Sequence, residues 1–422
     1  MIVVIRISFI FVIILPGLLL AQIGGDPGAV YEMATENNIY VGVRAAGMGG
    51  AQIAAGEDGS ALWYNPALLT RVRRIEISGA LSHQRFFNKT KYGTVNSKQA
   101  QMNKTRLSSF WAVLPVPVEQ GGLSLALSVN RVKSFDRILR LEDKNGWFET
   151  PVGDGYGYGE DDIGGLWAYS IGGAIEISRH TSVGASIDFL EGKDTFSRLT
   201  DEVEGAYYYS FRSNLEDSYS GYSGKIGISY SKGSNVQIGA VIRFPTPITV
   251  SQMYDDYQDD DGDISITYPT EAEYEYTLPF SFGVGTAFVV RDLLIAVDIV
   301  YTDYTQLEYK SGFSSLAEAN IAVERNYRDV LAWSLGAEYF FPEWGLSLRG
   351  GINKDPIPFE YYSIDKDLMI FTAGFSYLLD RTLKMDFAVN FLDWKRYDPD
   401  FEPVAKEKFD VQRFYVGFTY RI

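Results

Sequence analysis

The sequence has no cysteine among its 422 residues and only two histidines. The lack of thiols excludes disulfides, thiolate metal sites, cysteine nucleophiles and a lipidated N-terminal cysteine. The histidines are poorly placed for acid–base or triad chemistry, because His83 falls on the apolar phase of a predicted strand and His180 falls in a tight turn. We therefore expect a protein that is not an enzyme and that carries no metal or other cofactor.

Long apolar runs are missing beyond the N-terminus. No later stretch approaches 18 consecutive apolar residues, so the sequence predicts no transmembrane helix. If the chain is integral to a membrane it must form a closed β-barrel, since only helices and barrels satisfy backbone hydrogen bonds in lipid. The formal net charge of -16 argues against nucleic acid as a partner.

The first 21 residues are typical of a signal peptide. Arg6 is the only charge before Asp26, an apolar run extends from residue 7 to residue 20, and the small Ala21 closes it. The run is too short for a comfortable membrane span, so an uncleaved anchor is the weaker alternative. The sequence therefore predicts export, with 1–21 removed.

Aromatic residues are abundant, with 29 Tyr and 26 Phe, and apolar residues alternate with polar ones from about residue 74 onward. At the C-terminus Phe414, Val416, Phe418, Tyr420 and Ile422 share one face of a strand, because successive strand side chains point to opposite sides. A strand with one apolar face and one polar or small face suits a wall between lipid and water.

About fourteen such segments follow one another, and short connections alternate with long ones. That alternation is typical of periplasmic turns and extracellular loops, whereas a soluble β-sandwich, the alternative fold, does not require it. The sequence thus predicts an all-β fold, a fourteen-stranded antiparallel transmembrane β-barrel over residues 74–422. Charges on the predicted inward phase are Asp188, Lys225, Arg243, Asp298, Glu338, Arg349 and Asp386. The predicted aromatic girdle comprises Tyr230, Tyr301, Tyr339, Tyr377, Trp394 and Tyr420.

Residues 22–73 do not alternate and predict an N-terminal plug, here called the hatch. Asp58 or Ser60 is placed to cap a short helix over 61–64, and Pro66 is placed to begin a second one through residue 69. A barrel of fourteen strands is too wide for its own wall side chains to fill, so the lumen is where these residues are expected.

At this point the chain resembles a known family. The segments 44–51, Arg-Ala-Ala-Gly-Met-Gly-Gly-Ala, and 65–70, Asn-Pro-Ala-Leu-Leu-Thr, look like the hatch of FadL/TodX-type transporters. The resemblance implies a bacterial outer-membrane channel for passive uptake of hydrophobic molecules such as long-chain fatty acids or aromatic hydrocarbons. The ending Tyr415-x-Gly417-x-x-Tyr420-x-Ile422 is similar to the signal that barrel-assembly machinery reads. Expected partners are hydrophobic small molecules, outer-membrane lipids and that machinery.

The same hatch features also resemble PorV-type barrels, which serve protein secretion and surface attachment. A structural barrel that docks such machinery is therefore the alternative function. A hydrophobic channel predicts an apolar pocket between hatch and wall. A docking barrel predicts stable protein partners instead.

The resemblance makes Asn65, Pro66 and Ala67 the candidate pin that seats the hatch against the wall, although the motif could serve only the fold of the plug. Apolar hatch residues can line a ligand path or form the core of the plug, because pockets and cores use the same residue types. These ligand-path candidates are Met48, Ile53, Leu62, Trp63, Leu68 and Leu69.

Two further features carry sequence-based expectations. The acidic segment 255–263 is a candidate for Ca²⁺, but it does not fit the EF-hand spacing, and a solvated acidic loop is the favoured interpretation. A plugged barrel needs a side path for hydrophobic cargo, and bulges, Gly and Pro interrupt a strand ladder. The turn that holds 115–117 and 121–122, between strands two and three, is therefore the first place to expect a defect in the wall.

Overall fold

The structure is a computed structural model of the chain. It describes residues 39–92, 95–96, 99–141, 155–204, 207–233, 235–312, 315–360, 363–364, 367–398 and 405–422. The predicted signal peptide and the beginning of the hatch lie outside these residues, so both stay predictions.

Fourteen antiparallel strands form one closed barrel, as the sequence predicts. The first and last strands close it through a continuous ladder from the Glu76–Arg421 pair to the Tyr92–Ala405 pair. The strands are β1 Glu76–Tyr92, β2 Ala100–Val116, β3 Leu123–Ser134 and Arg137–Leu141, β4 Gly155–Ser178, β5 Thr181–Glu204, β6 Tyr207–Lys232, β7 Val236–Arg243 and Thr246–Asp260, β8 Asp263–Leu278 and Ser281–Val290, β9 Leu293–Asp303 and Glu308–Ser311, β10 Asp329–Phe341, β11 Leu346–Asp355, β12 Leu368–Leu378, β13 Leu383–Asp398 and β14 Ala405–Arg421. Two short pieces, Val95–Asn96 and Ser363–Ile364, pair with β1 and β13.

Four strands are interrupted, and proline explains two of the breaks. Pro245 interrupts β7 and Pro279 interrupts β8, since proline cannot donate to a ladder. The two lower halves pair with each other, and so do the two upper halves. The break in β3, at Phe135 and Asp136, contains no proline, and there the strand turns into the lumen.

The wall alternates as expected. On β14, Val416, Phe418 and Tyr420 are exposed toward lipid, while Tyr415 and Thr419 are buried inside. The predicted girdle tyrosines are likewise exposed.

Trp394 is a correction to that girdle. It is buried inside the barrel and stacks on Phe409, with ring centroids 4.7 Å apart. The reason is strand phase: on β13 the even positions Ala388, Asn390 and Leu392 face inward, and residue 394 shares that phase.

The described part of the hatch, 39–73, lies inside the barrel. It contains helix α1 (Val43–Gly47), helix α2 (Ala61–Tyr64) and a 3₁₀ helix (Pro66–Arg71). The last of these was predicted as a helix ending at residue 69. Ser60 is the N-cap of α2, but its hydroxyl bonds the Asp58 carboxylate rather than the helix.

The largest difference from the sequence analysis lies at the extracellular end. Segments predicted as long loops continue as paired strands, so that β5 and β6 have 24 and 26 residues. The acidic segment 255–263 is the end of β7 and a tight turn at Asp261 and Gly262, not an irregular loop. Within the described residues no group of carboxylates and histidines is arranged to hold a metal ion.

The remaining elements cover the extracellular side of the lumen. A 3₁₀ helix (Tyr304–Gln306) and helix α3 (Leu316–Asn326) lie on either side of the second half of β9. Val323 of α3 belongs to a buried aromatic cluster with Tyr274, Tyr276 and Tyr309. No helix within the described residues is long and apolar enough to cross a membrane.

Candidate functional site: a cavity between hatch and wall

Charged side chains fasten α1 to the wall. The Arg44 guanidinium donates to both Glu338 carboxylate oxygens, at 3.1 and 3.2 Å, and also to the Ala55 carbonyl at 2.8 Å. Arg349 joins the same Glu338 and reaches Asp386 at 2.7 Å. Three of the inward charges predicted from sequence are thus ion-paired, and one of them, Glu338, binds the hatch.

A second wall carboxylate holds the turn that follows α1. One Asp298 oxygen accepts from the backbone N–H groups of Gln52 and Ile53, at 2.6 and 2.8 Å. At the periplasmic side Arg71 donates to the Ala54 carbonyl and to the Gln237 side chain. Burial lowers the pKa of the Arg71 guanidinium to about 10, so it stays cationic at neutral pH.

The Asn65-Pro66-Ala67 motif contacts both hatch and wall. The Asn65 amide nitrogen donates to the Ile53 carbonyl at 2.8 Å and to the Ile228 carbonyl of β6 at 3.1 Å. Its oxygen accepts from the Ala67 N–H at 3.2 Å, and Pro66 begins the 3₁₀ helix. The motif thus has the geometry of a pin, and its role in transport stays a prediction.

Wall glycines make this close approach possible. A Cβ at Gly227 would overlap the Asn65 amide oxygen, and a Cβ at Gly239 would overlap the Ile53 carbonyl oxygen. The Asn65 side chain and the Ile53 backbone lie directly on strand backbone at these two points, so any side chain there would push them away. Other wall glycines in contact with the hatch are Gly172, Gly184, Gly283, Gly285, Gly336, Gly351, Gly374 and Gly417.

Above the seated hatch lies a cavity of about 340 Å³. The hatch contributes Ile39, Tyr40 and Trp63 to its lining, and the wall contributes residues such as Leu190 and Ala332. Burial raises the pKa of the hatch residue Tyr64, whose neutral hydroxyl accepts from the Val41 N–H. The lining is mostly apolar, as a site for hydrophobic cargo requires.

The six ligand-path candidates divide into two groups. Ile53 and Trp63 line the cavity. Met48 packs against Leu294 and wall alanines. The three leucines pack with Trp111 and Val113. The structure therefore places Met48, Leu62, Leu68 and Leu69 in the core between plug and wall.

One end of the cavity is cationic. Lys225 lies 4.1 Å from the Trp63 ring centre and pairs with Asp188 at 2.9 Å, while the Arg243 guanidinium lies 4.5 Å from the same ring. Arg243 lines the cavity and forms no ion pair with another described residue. Two cations and one carboxylate leave this end with a net positive charge.

The wall is open between β2 and β3, but not where the sequence suggested. The predicted defect near Pro115 is wrong, since Pro115 pairs with Ser124 in a regular ladder. That ladder runs up to Ser109 and Asn130, and no described residues of the two strands pair above it. The opening thus lies between the predicted pair of strands, but at the end opposite their connecting turn.

The opening exists because β3 turns inward. A bulge at Arg131 and Lys133 and the break at Phe135 direct the strand into the lumen. Past the break, Arg137 reaches Glu407 of β14 at 3.9 Å, and Ile138 packs on the aromatic cluster beside it. A signal is present in the sequence, since the apolar residues Val132 and Phe135 are three positions apart, whereas residues on one face of a strand are two apart.

Outside the opening is a second pocket, of about 400 Å³, here called the mouth. Its lining includes Arg106 of β2, Arg131 of β3, Gly165 and Trp167 of β4, and Lys193 of β5. The intervening residues Val132, Lys133 and Leu166 line the inner cavity instead. Among the described residues, one layer of wall, the inward-turning stretch of β3 and its paired neighbour β4, separates the cavity from the mouth.

Residues 168–404 of the chain match the family described as outer membrane protein transport protein (OMPP1/FadL/TodX). No curated protein sequence matches the chain. Among solved structures, the toluene transporter TodX of Pseudomonas putida is 15% identical with a TM-score of 0.66, over 92% of this chain and 99% of that one. A FadL homologue of Pseudomonas aeruginosa is 12% identical with a TM-score of 0.64, over 91% and 99%.

The toluene transporter TbuX of Ralstonia pickettii is 15% identical, with a TM-score of 0.58 over 90% of this chain and 98% of that one. At these identities the structural matches establish the fold, and the family match covers more than half of the chain. The chain therefore belongs to the outer membrane protein transport family (OMPP1/FadL/TodX), as a fourteen-stranded barrel of the bacterial outer membrane.

Proposed function

We propose that the protein is a passive channel through which hydrophobic molecules enter the cell, by way of the cavity between hatch and wall. The cavity carries the proposal, because its lining is mostly apolar and a single layer of wall, formed by β3 and β4, separates it from the mouth. A water-filled pore does not lower the free energy of a hydrophobic cargo, whereas a route that ends in lipid does. The solved relatives that are toluene transporters support the same cargo class.

A substitution that fills the cavity tests this function. Ala332 lines the cavity from β10, whereas Ala337 of the same strand has the opposite phase and faces lipid. In Ala332→Trp the indole occupies cargo volume, so we expect the initial rate of toluene or oleate uptake by intact cells to fall about tenfold or more. Ala337→Trp is the matched control and should transport normally.

Equal uptake by cells with either variant and by cells without the protein would refute the channel function. Stable co-purification of a secreted protein under the same conditions would then favour the docking alternative.

Arg243 supports a finer proposal about the cargo, namely an amphiphile with a carboxylate head, such as a fatty acid. Its guanidinium faces the cavity next to Trp63 without an ion-pair partner among the described residues. A cargo carboxylate would supply that partner, and a charge-assisted hydrogen bond is stronger than a neutral one. A neutral hydrocarbon would leave this end of the cavity with its excess positive charge.

Competition for a fluorescent long-chain carboxylate, cis-parinaric acid, tests the role of Arg243. At pH 8 oleate should displace the probe about tenfold better than oleyl alcohol, since a charge-assisted bond contributes roughly 1.5–3 kcal/mol. In Arg243→Gln the two competitors should become nearly equal. Arg291→Gln, in the exposed turn before β9, is the control. Equal competition in the unaltered protein would assign the cavity to neutral hydrocarbons.

A further inference from the structure

Among the described residues, one ion pair crosses the opening in the wall. Arg106 of β2 donates to the two Asp136 carboxylate oxygens, at 2.6 and 3.3 Å, from the side where β2 and β3 no longer pair. Asp136 lies at the break in β3 and its side chain is fully buried. A bidentate guanidinium–carboxylate pair thus replaces the ladder hydrogen bonds that end at Ser109 and Asn130.

The β3 side of this connection is fixed independently. Arg131 donates to the same Asp136 carboxylate at 3.1 Å and also to Ser134 at 3.2 Å. Ser134 in turn donates to Asp136 at 2.9 Å. Asp136 therefore keeps a buried ionic partner on its own strand when Arg106 leaves, so release of Arg106 does not leave the carboxylate unpaired.

The two partners differ in exposure. The Arg106 side chain is 30% exposed and lines the mouth, whereas that of Arg131 is 3% exposed. Because Asp136 is buried, water reaches this pair only at its Arg106 end, so the pair is stronger than a surface ion pair but weaker than a fully buried one. A fully buried pair at the same place would hold β3 shut.

From this asymmetry we infer that the Arg106–Asp136 pair is a gating latch. It holds the inward-turning stretch of β3 against β2, and its release opens the path from the cavity to the mouth. Arg131 acts as a positioning residue, since it keeps Asp136 aimed at β2 while the latch is open. The role in cargo release rests on the proposed channel function, but the latch itself can be tested without cargo.

The first test uses the absence of native cysteines. Ser108, buried on β2, is the first residue above the last pair with β3, so Ser108→Cys reports on the opening. Labelling by N-ethylmaleimide should be about fivefold faster when Arg106→Gln is added, the ratio that about 1 kcal/mol produces. Lys104→Gln, two residues along the same strand, removes a cation outside the latch and should leave the labelling rate unchanged.

Equal labelling in the Arg106→Gln and Lys104→Gln backgrounds would overturn the latch, whatever the protein transports. The second measurement concerns cargo: oleate uptake should rise in Arg106→Gln. It should stop when Arg106→Cys and Asp136→Cys are joined by a short bis-methanethiosulfonate reagent, and resume on reduction. If labelling is faster in the Arg106→Gln background but the unaltered protein takes up no oleate, the latch is supported and the channel function is refuted. Faster labelling with unchanged uptake would refute its role in cargo release.

Discussion

Replacement of Gly227 by alanine is expected to unseat the hatch, at a cost of about 3 kcal/mol in the free energy of unfolding. The added methyl group would overlap the Asn65 amide oxygen, which lies directly against the β6 backbone. Overpacking of this kind typically costs about 1–3 kcal/mol, and here the displaced group also loses hydrogen bonds. Guanidinium unfolding of the detergent-solubilised barrel, followed by gel mobility, measures the change.

Gly224→Ala on the same strand is the matched control. A Cβ at Gly224 meets its nearest neighbour, a ring carbon of Phe244, at 3.4 Å, which is an ordinary contact. That substitution should be neutral or slightly stabilising, because alanine loses less backbone entropy on folding. Similar stabilities of the two variants would show that the hatch does not need a bare backbone at residue 227.

The strands that cross the membrane could be predicted from sequence because lipid and lumen impose opposite demands on alternate residues. β14 is the plainest case, with apolar Val416 and Phe418 outside and Thr419 inside. The extensions of β7 and β8 could not be predicted in this way. Both faces of that hairpin meet water, and residues 263–270 are all exposed, so no alternation marks them as strand.

The hatch motif could be placed from sequence because Asn65-Pro66 has a local cause for its bend. The cavity and its cationic end could not, since Lys225 and Arg243 come together with Trp63 only when β6, β7 and α2 are assembled. The alternation of each strand predicted that both cations point into the lumen. It could not predict that only Lys225 forms an ion pair with a carboxylate of the described residues. Pair formation between distant residues leaves no trace in the periodicity of a single strand.

The inward turn of β3 was missed for a related reason. Glycine and proline mark turns at strand ends, and here they mark the regular turn that follows Pro115. The actual break needs neither residue, because Asp136 and Arg131 bind each other and Phe135 packs on Tyr219 inside the lumen, with ring centroids 5.3 Å apart. Buried side-chain contacts thus replace the ladder that β3 gives up.

Asn65→Ala should separate the seating of the hatch from the assembly of the barrel. The substitution removes three hydrogen bonds of a fully buried side chain, to Ile53, Ile228 and Ala67. At about 1 kcal/mol for each bond, and more where a buried acceptor is left without its donor, we expect a loss of roughly 3 kcal/mol in hatch stability. The strand ladders do not involve this side chain, so barrel levels in the membrane should stay normal.

Limited trypsin digestion shows directly whether the hatch is seated, because Arg44 is buried in the seated hatch and is protected from cleavage there. In Asn65→Ala, cleavage after Arg44 should become faster and cargo uptake should change, while Asn214→Ala, which removes an exposed hydrogen bond to Asp255, should alter neither. Loss of the barrel itself would make the motif a requirement of assembly. If cleavage, uptake and barrel level all stayed unchanged, the pin would lie outside the transport mechanism, and the Arg44–Glu338 ion pair and the Asp298 contacts would suffice to hold the hatch.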